Sequence, residues 1–239
     1  MCGLIFGVGE AAALDHAPLL ARLLVIPVAG GSALLPDIDK PGSRVARSLG
    51  PITGLIARGV AALAVVVYDA TRTALDPSNC GGGHRQLTHT VPGCVGFGAG
   101  TWVALQVHPA LGAAVLTLLC GLLAQGFKSI GVGFTLVGAV VSWWVITHAQ
   151  SWWWVWPLSV AAGSFIHIVG DTMTSSGTPM LWPLTRHGKR WGRVHTPATF
   201  HTGSHFETEA LTPMLAGALA LSAGFTVGLP QAVYHAVAR

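Results

Sequence analysis

The sequence predicts an all-α, polytopic membrane helix bundle, with about six transmembrane helices and one further interfacial or re-entrant helix. First, Lys+Arg number 13 and Asp+Glu 9 among 239 residues, or 9% charged, against roughly 25% in soluble domains. Second, hydrophobic residues make up 51%, and the mean hydropathy is +0.59. Third, two long runs, 86–127 and 129–170, contain no charged residue. This composition excludes a disordered chain, a nucleic-acid-binding domain and an ordinary soluble enzyme.

The expected helices form one integral-membrane domain over residues 1–239. Each charge-free run is long enough for two crossings of about 20 residues. Breaks at His108-Pro109 and at 148–151 divide the two runs, and six Trp residues flank the second break as an interfacial belt. The expected crossings are 17–35, 91–107, 110–127, 129–147, 152–170 and one within 210–238.

Segment 48–68 is apolar enough to cross, but Arg58 lies at its centre. A mid-bilayer Arg costs roughly 2.5–3.5 kcal/mol. If this segment does not cross, the basic loops 36–50, 71–90 and 171–208 all lie on one side of the membrane, with Lys128. The positive-inside rule therefore favours an interfacial or re-entrant 48–68 and places those loops in the cytoplasm of a bacterial cell.

Two clusters of ionisable residues follow expected membrane helices. Asp37 and Asp39 come directly after 17–35, where adjacent carboxylates repel each other unless a cation or water lies between them. His167 and Asp171 share one face of helix 152–170, because residues four apart are neighbours on a helix. The alternatives are a solvated helix end for the first pair and a hydrogen-bonded core histidine for His167. Asp171 is either a metal ligand or the group that orients His167.

A third cluster opens helix 91–107. His84 and His89 are five residues apart, about 140° on a regular helix, but they can converge if His84 lies in the glycine-rich loop. Arg85 is expected to bind a phosphate or carboxylate, and Thr88 to cap the helix. The alternative is that these are ordinary loop histidines. Before the last helix, Glu207 is a further candidate catalytic residue.

Carboxylates and imidazoles from three helix ends on one side indicate a divalent-metal centre with open coordination positions. A mixed oxygen and nitrogen ligand set fits Zn, Mn or Fe(II) better than Ca or Mg, and it fits one or two ions. The loop 171–208 carries basic residues beside Trp, which is typical of a surface facing lipid headgroups. The alternative is a positive-inside loop without a specific ligand.

Three motifs in this order, LPDIDKPGSRVAR, GGHRQLTHT and HIVGDTMTSSGTPMLWPL, resemble the bacterial membrane-bound metal-dependent hydrolases, including the LexA-regulated inner-membrane type, over roughly 30–210. The resemblance implies a polar site of these residues: Asp37, Asp39, His84, His89 and Asp171. HIVGD is also similar to the HxxxD element of helical zinc-dependent phospholipase C and nuclease enzymes. Members of the resembled family usually carry a His just before the first hydrophobic stretch, which this chain lacks. Either this member lacks one ligand, or a longer N-terminus supplies it.

We therefore expect a membrane-embedded hydrolase that uses one or two divalent metals on a phosphoester or phospholipid-type substrate at the cytoplasmic membrane face. The expected ligands are Asp37, Asp39, His84, His89, His167 and Asp171. The expected catalytic residues are Arg85, Thr88, His167 and Glu207. The bilayer is the expected partner, with no nucleic acid. Two alternatives stay open: a metal or proton-coupled transporter, and a non-catalytic scaffold with a structural metal.

Overall fold

A computed structural model describes residues 1–43, 45–48, 50–78, 84–125, 131–201, 204, 209 and 212–226. Within these residues the chain forms eight α-helices and no β-strand, which confirms the all-α class. The helices are α1 (Cys2–Ala13), α2 (Leu19–Ser32), α3 (Pro51–Thr71), α4 (Val91–Val107), α5 (Pro109–Ala124), α6 (Gly131–His148), α7 (Val155–Thr172) and α8 (Thr212–Thr226).

The expected helices lie close to their predicted bounds. Helix α4 begins and ends where predicted, and α5, α6 and α7 deviate by a few residues. Helix α2 is shorter than 17–35, because the chain changes to a 3-10 helix over Leu35–Asp39. The last expected helix is described only as α8, since residues beyond 226 lie outside the described part.

Helix α1 was not predicted, because Glu10 interrupts its apolar run. The structure accommodates this carboxyl within the bundle, where the hydroxyl of Ser159 on α7 donates a hydrogen bond to Glu10. Helix α1 packs closely on α2, and a Cβ at Gly3 would come within 2.6 Å of the Cβ of Ala33. The expected helices began with 17–35, so α1 is an addition that the structure makes to them.

Helix α2 lies at the centre of the bundle. It packs against α1, α5 and α7, while α4 pairs with α7 and α5 pairs with α6. A single apolar core joins these helices, with these fully buried members: Val25, Val28, Leu116, Val145, Ile146 and Trp156. The Trp belt is therefore only partly a surface feature, since Trp156 is buried whereas Trp143 and Trp154 are half exposed.

One end of this bundle carries the predicted site, and we call it the site end. Helices α2 and α7 finish there, and α4 begins there after a 3-10 turn over Leu87–His89. Gln125, directly after α5, donates a hydrogen bond to the carbonyl of Ser48. The segments that carry the predicted ligands therefore meet at one end of the bundle, and the side of the membrane that this end faces stays a prediction.

Helix α3 packs mainly against the 3-10 helices Leu35–Asp39 and Leu87–His89. Its buried side is a stripe at helical spacing: Ala57, Ala61, Ala64 and Tyr68. By length and hydropathy, however, Thr53–Thr71 is one of three candidate membrane spans among the described residues, with Gly131–His148 and Gln150–Thr172. The number of crossings and the interfacial placement of α3 therefore remain predictions.

Candidate metal centre

Four side chains from three segments converge at the site end. Asp37 belongs to the 3-10 helix Leu35–Asp39 after α2, and His89 ends the 3-10 turn before α4. His167 and Asp171 lie one turn apart at the end of α7. Two local features hold these segments. The hydroxyl of Ser43 donates to the carbonyl oxygen of Asp37, and Thr90 caps α4 by accepting a hydrogen bond from the Gly93 amide.

The donor atoms face one another across short gaps. His89 Nε2 lies 3.4 Å from Asp171 Oδ2 and 3.7 Å from Asp37 Oδ1. His167 Nε2 lies 3.6 Å from Asp171 Oδ2 and 3.8 Å from Asp37 Oδ1. Donor atoms of Asp37, His89 and His167 all lie within 4.8 Å of one another. An ion with four tetrahedral bonds of about 2.0–2.1 Å holds its ligand atoms about 3.3 Å apart, so these gaps are near the spacing that an ion requires.

Three of these four atoms are buried without a hydrogen bond to any described residue: His89 Nε2, His167 Nε2 and Asp171 Oδ2. A buried polar atom left unpaired costs about 1–3 kcal/mol. Three such atoms around one point therefore need a common partner. Imidazole nitrogen and carboxylate oxygen are ligands of Zn, Mn and Fe(II), so the donor set fits a divalent transition-metal ion.

Asp39 lies behind His89 and is fully buried. Its Oδ2 accepts hydrogen bonds from the Thr88 hydroxyl, at 2.6 Å, and from the Arg85 amide, at 3.0 Å. Its Oδ1 lies 2.8 Å from His84 Nδ1, while Oδ2 lies 3.5 Å from His89 Nδ1. The hydrogen-bond partner of His89 Nδ1 is the Thr88 hydroxyl, at 3.0 Å, and this hydroxyl in turn donates to Asp39. Thr88 and Asp39 together thus hold the Nδ1 side of His89, which directs Nε2 of the same ring into the cluster.

The cluster shifts the pKa values of its members outside the helices. Burial alone would raise the pKa of Asp39, but His84, His89 and Thr88 hold it well below its usual range. The pKa of Asp37 is likewise lowered, because His89, His167 and His84 outweigh its burial. Burial would lower the pKa of His89, but Asp171, Asp37 and Asp39 raise it to about 10. His89 is therefore protonated at neutral pH when no metal is bound.

Arg85 connects the cluster to the loop after α7. Its Nη2 lies 3.1 Å from Asp171 Oδ1, and its Nη1 donates to Thr174 Oγ1 at 3.1 Å. Arg85 holds a left-handed backbone conformation, with φ of 55°. This conformation lets its amide and its guanidinium bind two different carboxylates, those of Asp39 and Asp171.

A cavity of about 400 Å³ opens beside the cluster. Its polar lining includes these residues: Asp37, Arg85, His167, Asp171 and Thr174. The rest of the lining is mainly apolar: Leu4, Ala33, Leu34, Leu123, Ile166 and Phe200. The cluster is thus accessible from one side, where the Asp37 side chain is 36% exposed, and enclosed on the other, where His89 is 0% exposed.

The structure sorts the predicted residues into two sets. Asp37, His89, His167 and Asp171 form the donor cluster, whereas Asp39 and His84 pair with each other outside it. The prediction that Thr88 caps α4 is wrong: the helix begins at Val91, so Thr90 is the cap, and Thr88 bonds Asp39. Glu207 lies outside the described residues, so its role stays a prediction.

Sequence reasoning assigned no role to Thr174 or to the N-terminal turn of α1, which lines the cavity. The sequence did carry a signal for Thr174, because this residue follows Asp171 by three positions. In the structure its hydroxyl donates a hydrogen bond to the Asp171 carbonyl. No sequence signal placed Leu4 near the site, because that contact depends on how α1 packs against α2.

Comparison with known proteins gives one family match. The family model described as YdjM inner membrane protein matches residues 2–229, nearly the whole chain. Among curated proteins and among solved structures, nothing matches.

Proposed function

The chain belongs to the YdjM inner membrane protein family, and we propose that it is a divalent-metal-dependent hydrolase of a phosphoester, working at the cytoplasmic face of the bacterial inner membrane. The observation that carries the proposal is the convergence of four donor atoms, three of them buried without a hydrogen bond to any described residue, beside an open cavity. Catalytic metal sites keep a coordination position open to solvent or substrate, so the ion proposed here would be five- or six-coordinate, with the cavity giving access to a position beyond the four donors.

Asp37, His89, His167 and Asp171 would hold the ion, which in such enzymes supplies a water nucleophile at neutral pH and polarises the phosphoryl oxygen. We propose one ion, because Asp39 and His84 are engaged with each other rather than with the donor cluster. Their role is to orient His89. Zn, Mn and Fe(II) each suit this mixed ligand set.

Arg85 would stabilise negative charge on the substrate. Its guanidinium lines the cavity and lies beside Asp171, so a phosphoryl group in the cavity would meet a cation. Preorganised cations of this kind stabilise the charge that develops as a phosphoester bond breaks. Thr174 holds the guanidinium from the other side, at 3.1 Å, which keeps the cation at the edge of the donor cluster.

A lipid-type phosphoester fits the cavity best. The polar groups occupy one part of the lining, and apolar side chains from α1, α2, α5 and α7 occupy the rest. A substrate with a phosphate headgroup and an apolar chain matches this division. The site end lies where α2 and α7 finish, which corresponds to the depth of lipid headgroups if these helices cross the bilayer.

A transporter is the second candidate, and Glu10 is the observation that favours it. Its Oε2 is buried without a hydrogen bond to any described residue, and it lies about 9 Å along α1 from Leu4 at the cavity. Ionisable groups inside a bundle often mark ion paths. Metal uptake by proteoliposomes that is lost in Glu10→Gln would support transport over hydrolysis.

The proposal is tested with the full chain purified in mild detergent and loaded with Zn, Mn or Fe(II). The substrates are bis(4-nitrophenyl) phosphate and a fluorogenic phospholipid in mixed micelles. We expect metal-dependent hydrolysis that His167→Ala abolishes and His16→Ala leaves intact. His16 is a matched control that is 90% exposed and lines neither the cavity beside the cluster nor the cavity in the loop after α7. Equal turnover in His167→Ala would contradict the proposal. So would bound metal without turnover of either substrate, which would favour a structural metal.

A further inference from the structure

A second site of different chemistry lies in the loop after α7. Residues 178–194, here the basic hairpin, are paired at their base between Thr178 and Val194, and again between Arg186 and Lys189 near the tip. The turn between the inner pair consists of His187 and Gly188, both with positive φ, which suits a two-residue hairpin. The hairpin is therefore a defined structure rather than a loose connection.

Two sets of contacts fix the hairpin to the end of α3. Trp191 is buried, stacks on Trp182 with ring centroids 5.1 Å apart, and packs against Tyr68. The carboxylate of Asp76 accepts hydrogen bonds from the backbone amides of Arg190, at 3.2 Å, and Trp191, at 3.0 Å. The side chains at the tip are thus presented from a rigid base.

One side of the hairpin, from Arg186 near the tip to Arg193 at the base, forms a cavity of about 400 Å³ whose chemistry is cationic. Its lining is Arg186, His187, Lys189, Gly192, Arg193 and His195, so no acidic side chain among the described residues lines it. The sequence agrees, since there is no Asp or Glu between Asp171 and Glu207. Arg193 is held in place, with Nη1 donating to the carbonyl of Ser176.

Exposed leucines surround the cationic tip. Leu75, Leu181 and Leu184 are 62%, 41% and 68% exposed, and Leu75 packs against Gly188 at the turn. A soluble anion would make no favourable contact with these exposed leucines. A phospholipid would use both parts, because its phosphate meets cations while its glycerol and upper acyl chains meet leucines.

The hairpin also lies on the appropriate end of the bundle. The amide of Val91, at the start of α4, donates to the carbonyl of Met180 at the hairpin base, and Trp182 donates to the hydroxyl of Thr71. The basic hairpin is therefore at the site end, beside the last turn of α3. It is distinct from the donor cluster, since the two cavities share no lining residue.

We infer that the basic hairpin binds the headgroup of an anionic phospholipid, with the phosphate between Arg186, Lys189 and Arg193 and the acyl chains along the neighbouring leucines. This inference does not depend on the metal centre. A bound lipid would dock the loop on the membrane surface, next to the cavity that the proposed substrate enters.

The test is native mass spectrometry of the full chain with added phosphatidylglycerol or phosphatidylcholine of the same acyl chains. Each cation near a membrane surface strengthens binding of anionic lipid about fivefold. We expect the wild type to retain phosphatidylglycerol preferentially, and R186Q/K189Q/R193Q to lose that preference. The matched control K40Q/R47Q/R58Q removes the same charge from exposed positions elsewhere and should keep it.

The inference is overturned if the triple hairpin variant retains phosphatidylglycerol like the wild type, or if the control loses it equally. Inorganic phosphate distinguishes a lipid from a free anion: we expect it to leave the retained lipid unchanged, and displacement would overturn the lipid assignment. If the triple variant does not fold, K189Q alone should lower retention about fivefold, and unchanged retention would count against the inference.

Discussion

At the scale of single residues, Asp39 controls the orientation of the cluster. It is fully buried, yet four groups surround it: the Thr88 hydroxyl, the Arg85 amide and the Nδ1 atoms of His84 and His89. When a hydroxyl or carboxylate holds Nδ1 of an imidazole, Nε2 is left to face a metal, and here the Thr88 hydroxyl links His89 Nδ1 to Asp39. We therefore propose that Asp39 positions His89 rather than binding the ion.

Replacing Asp39 by Asn should weaken metal binding without abolishing it. Loss of such an orienting carboxylate typically lowers metal affinity by about 10–100-fold. Titration against a chelator should show this loss in Asp39→Asn, with the same stoichiometry at saturation. Asp69→Asn, on the exposed part of α3, is the matched control and should bind like the wild type. A stoichiometry of zero in Asp39→Asn would mean that Asp39 is itself a ligand.

Metal affinity should rise with pH. His89 must be neutral to bind an ion, but the surrounding carboxylates raise its pKa from 6.5 to about 10 despite burial. Metal binding therefore displaces one proton, and affinity should increase about tenfold per pH unit between pH 6.5 and 8.5. Chelator competition at three pH values measures this slope. An affinity that does not change over this range would contradict a protonated His89 in the metal-free protein.

The raised pKa of His89 also makes the stability of the metal-free protein depend on pH. This stability should fall as pH rises, whereas the metal affinity should increase. The pKa of His89 is higher in the folded state than its usual 6.5, so protonation stabilises the fold. That contribution is complete below about pH 6.5 and is lost as pH rises toward 10. Bound metal replaces the proton, so we expect the metal to raise Tm more at pH 8.5 than at pH 6.5.

The sequence predicted that aspartates and histidines from three segments meet at one end of the bundle. It did not predict which of them form the donor cluster and which lie outside it. The four-residue spacing of His167 and Asp171 correctly placed both on one face of α7. The division between ligands and supporting residues was not predictable. It depends on the 3-10 turn Leu87–His89 and on the left-handed Arg85, which together turn His84 toward Asp39.

At the scale of elements, the helices that carry the cluster are held by close backbone contacts. A Cβ at Gly31 of α2 would overlap the carbonyl of Leu119 on α5, and one at Gly163 of α7 would overlap the hydroxyl of Ser32. These glycines let α2 approach both neighbours, which brings the segment with Asp37 to the end of α7.

Gly31→Ala should therefore destabilise the protein. The added methyl meets backbone atoms, which cannot move aside like a flexible side chain, and overpacking of this kind costs roughly 1–3 kcal/mol. Thermal unfolding in detergent should show a Tm several degrees lower. Gly133→Ala on α6 is the matched control, because nothing lies within 4 Å of its Cβ position. Equal Tm values for both variants would contradict the described packing of α2 and α5.

The elements themselves were largely predictable, because charge-free runs and Pro or Gly breaks mark helix ends in an apolar chain. Two features were not. Helix α1 was not among the expected helices. Its Glu10 carboxyl accepts a hydrogen bond from the Ser159 hydroxyl, a contact that exists only in the folded bundle. The 3-10 helix Leu35–Asp39 was expected only as the start of a loop after the first helix, although it is the segment that brings Asp37 to His167.

At the scale of the whole molecule, a cytoplasmic metal centre requires that the site end and the opposite end lie on different sides of the membrane. The sequence supports this through the basic loops, all of which connect elements at the site end. Helix α3 packs on the 3-10 helices of that end, which suits an interfacial helix, although its length would allow a crossing.

Reporter fusions measure this arrangement directly. A cytoplasmic reporter joined after residue 76 should be active, and one joined after residue 149 should be inactive, with a periplasmic reporter giving the reverse. This outcome follows if α4, α5 and α6 each cross the membrane and the connection before α4 is cytoplasmic. Both fusions reporting the same compartment would contradict that alternation of α4, α5 and α6.

The most direct test of the central claim is the metal content of the purified full chain. Wild-type protein reconstituted with Zn, Mn or Fe(II) should hold about one ion per chain, as the four converging donors require. Asp37→Ala and Asp171→Asn should lose it, while Asp15→Asn, an exposed control near the end of α1, should keep it. No bound ion in the wild type, or an ion retained by both cluster variants, would contradict a metal centre at the site end.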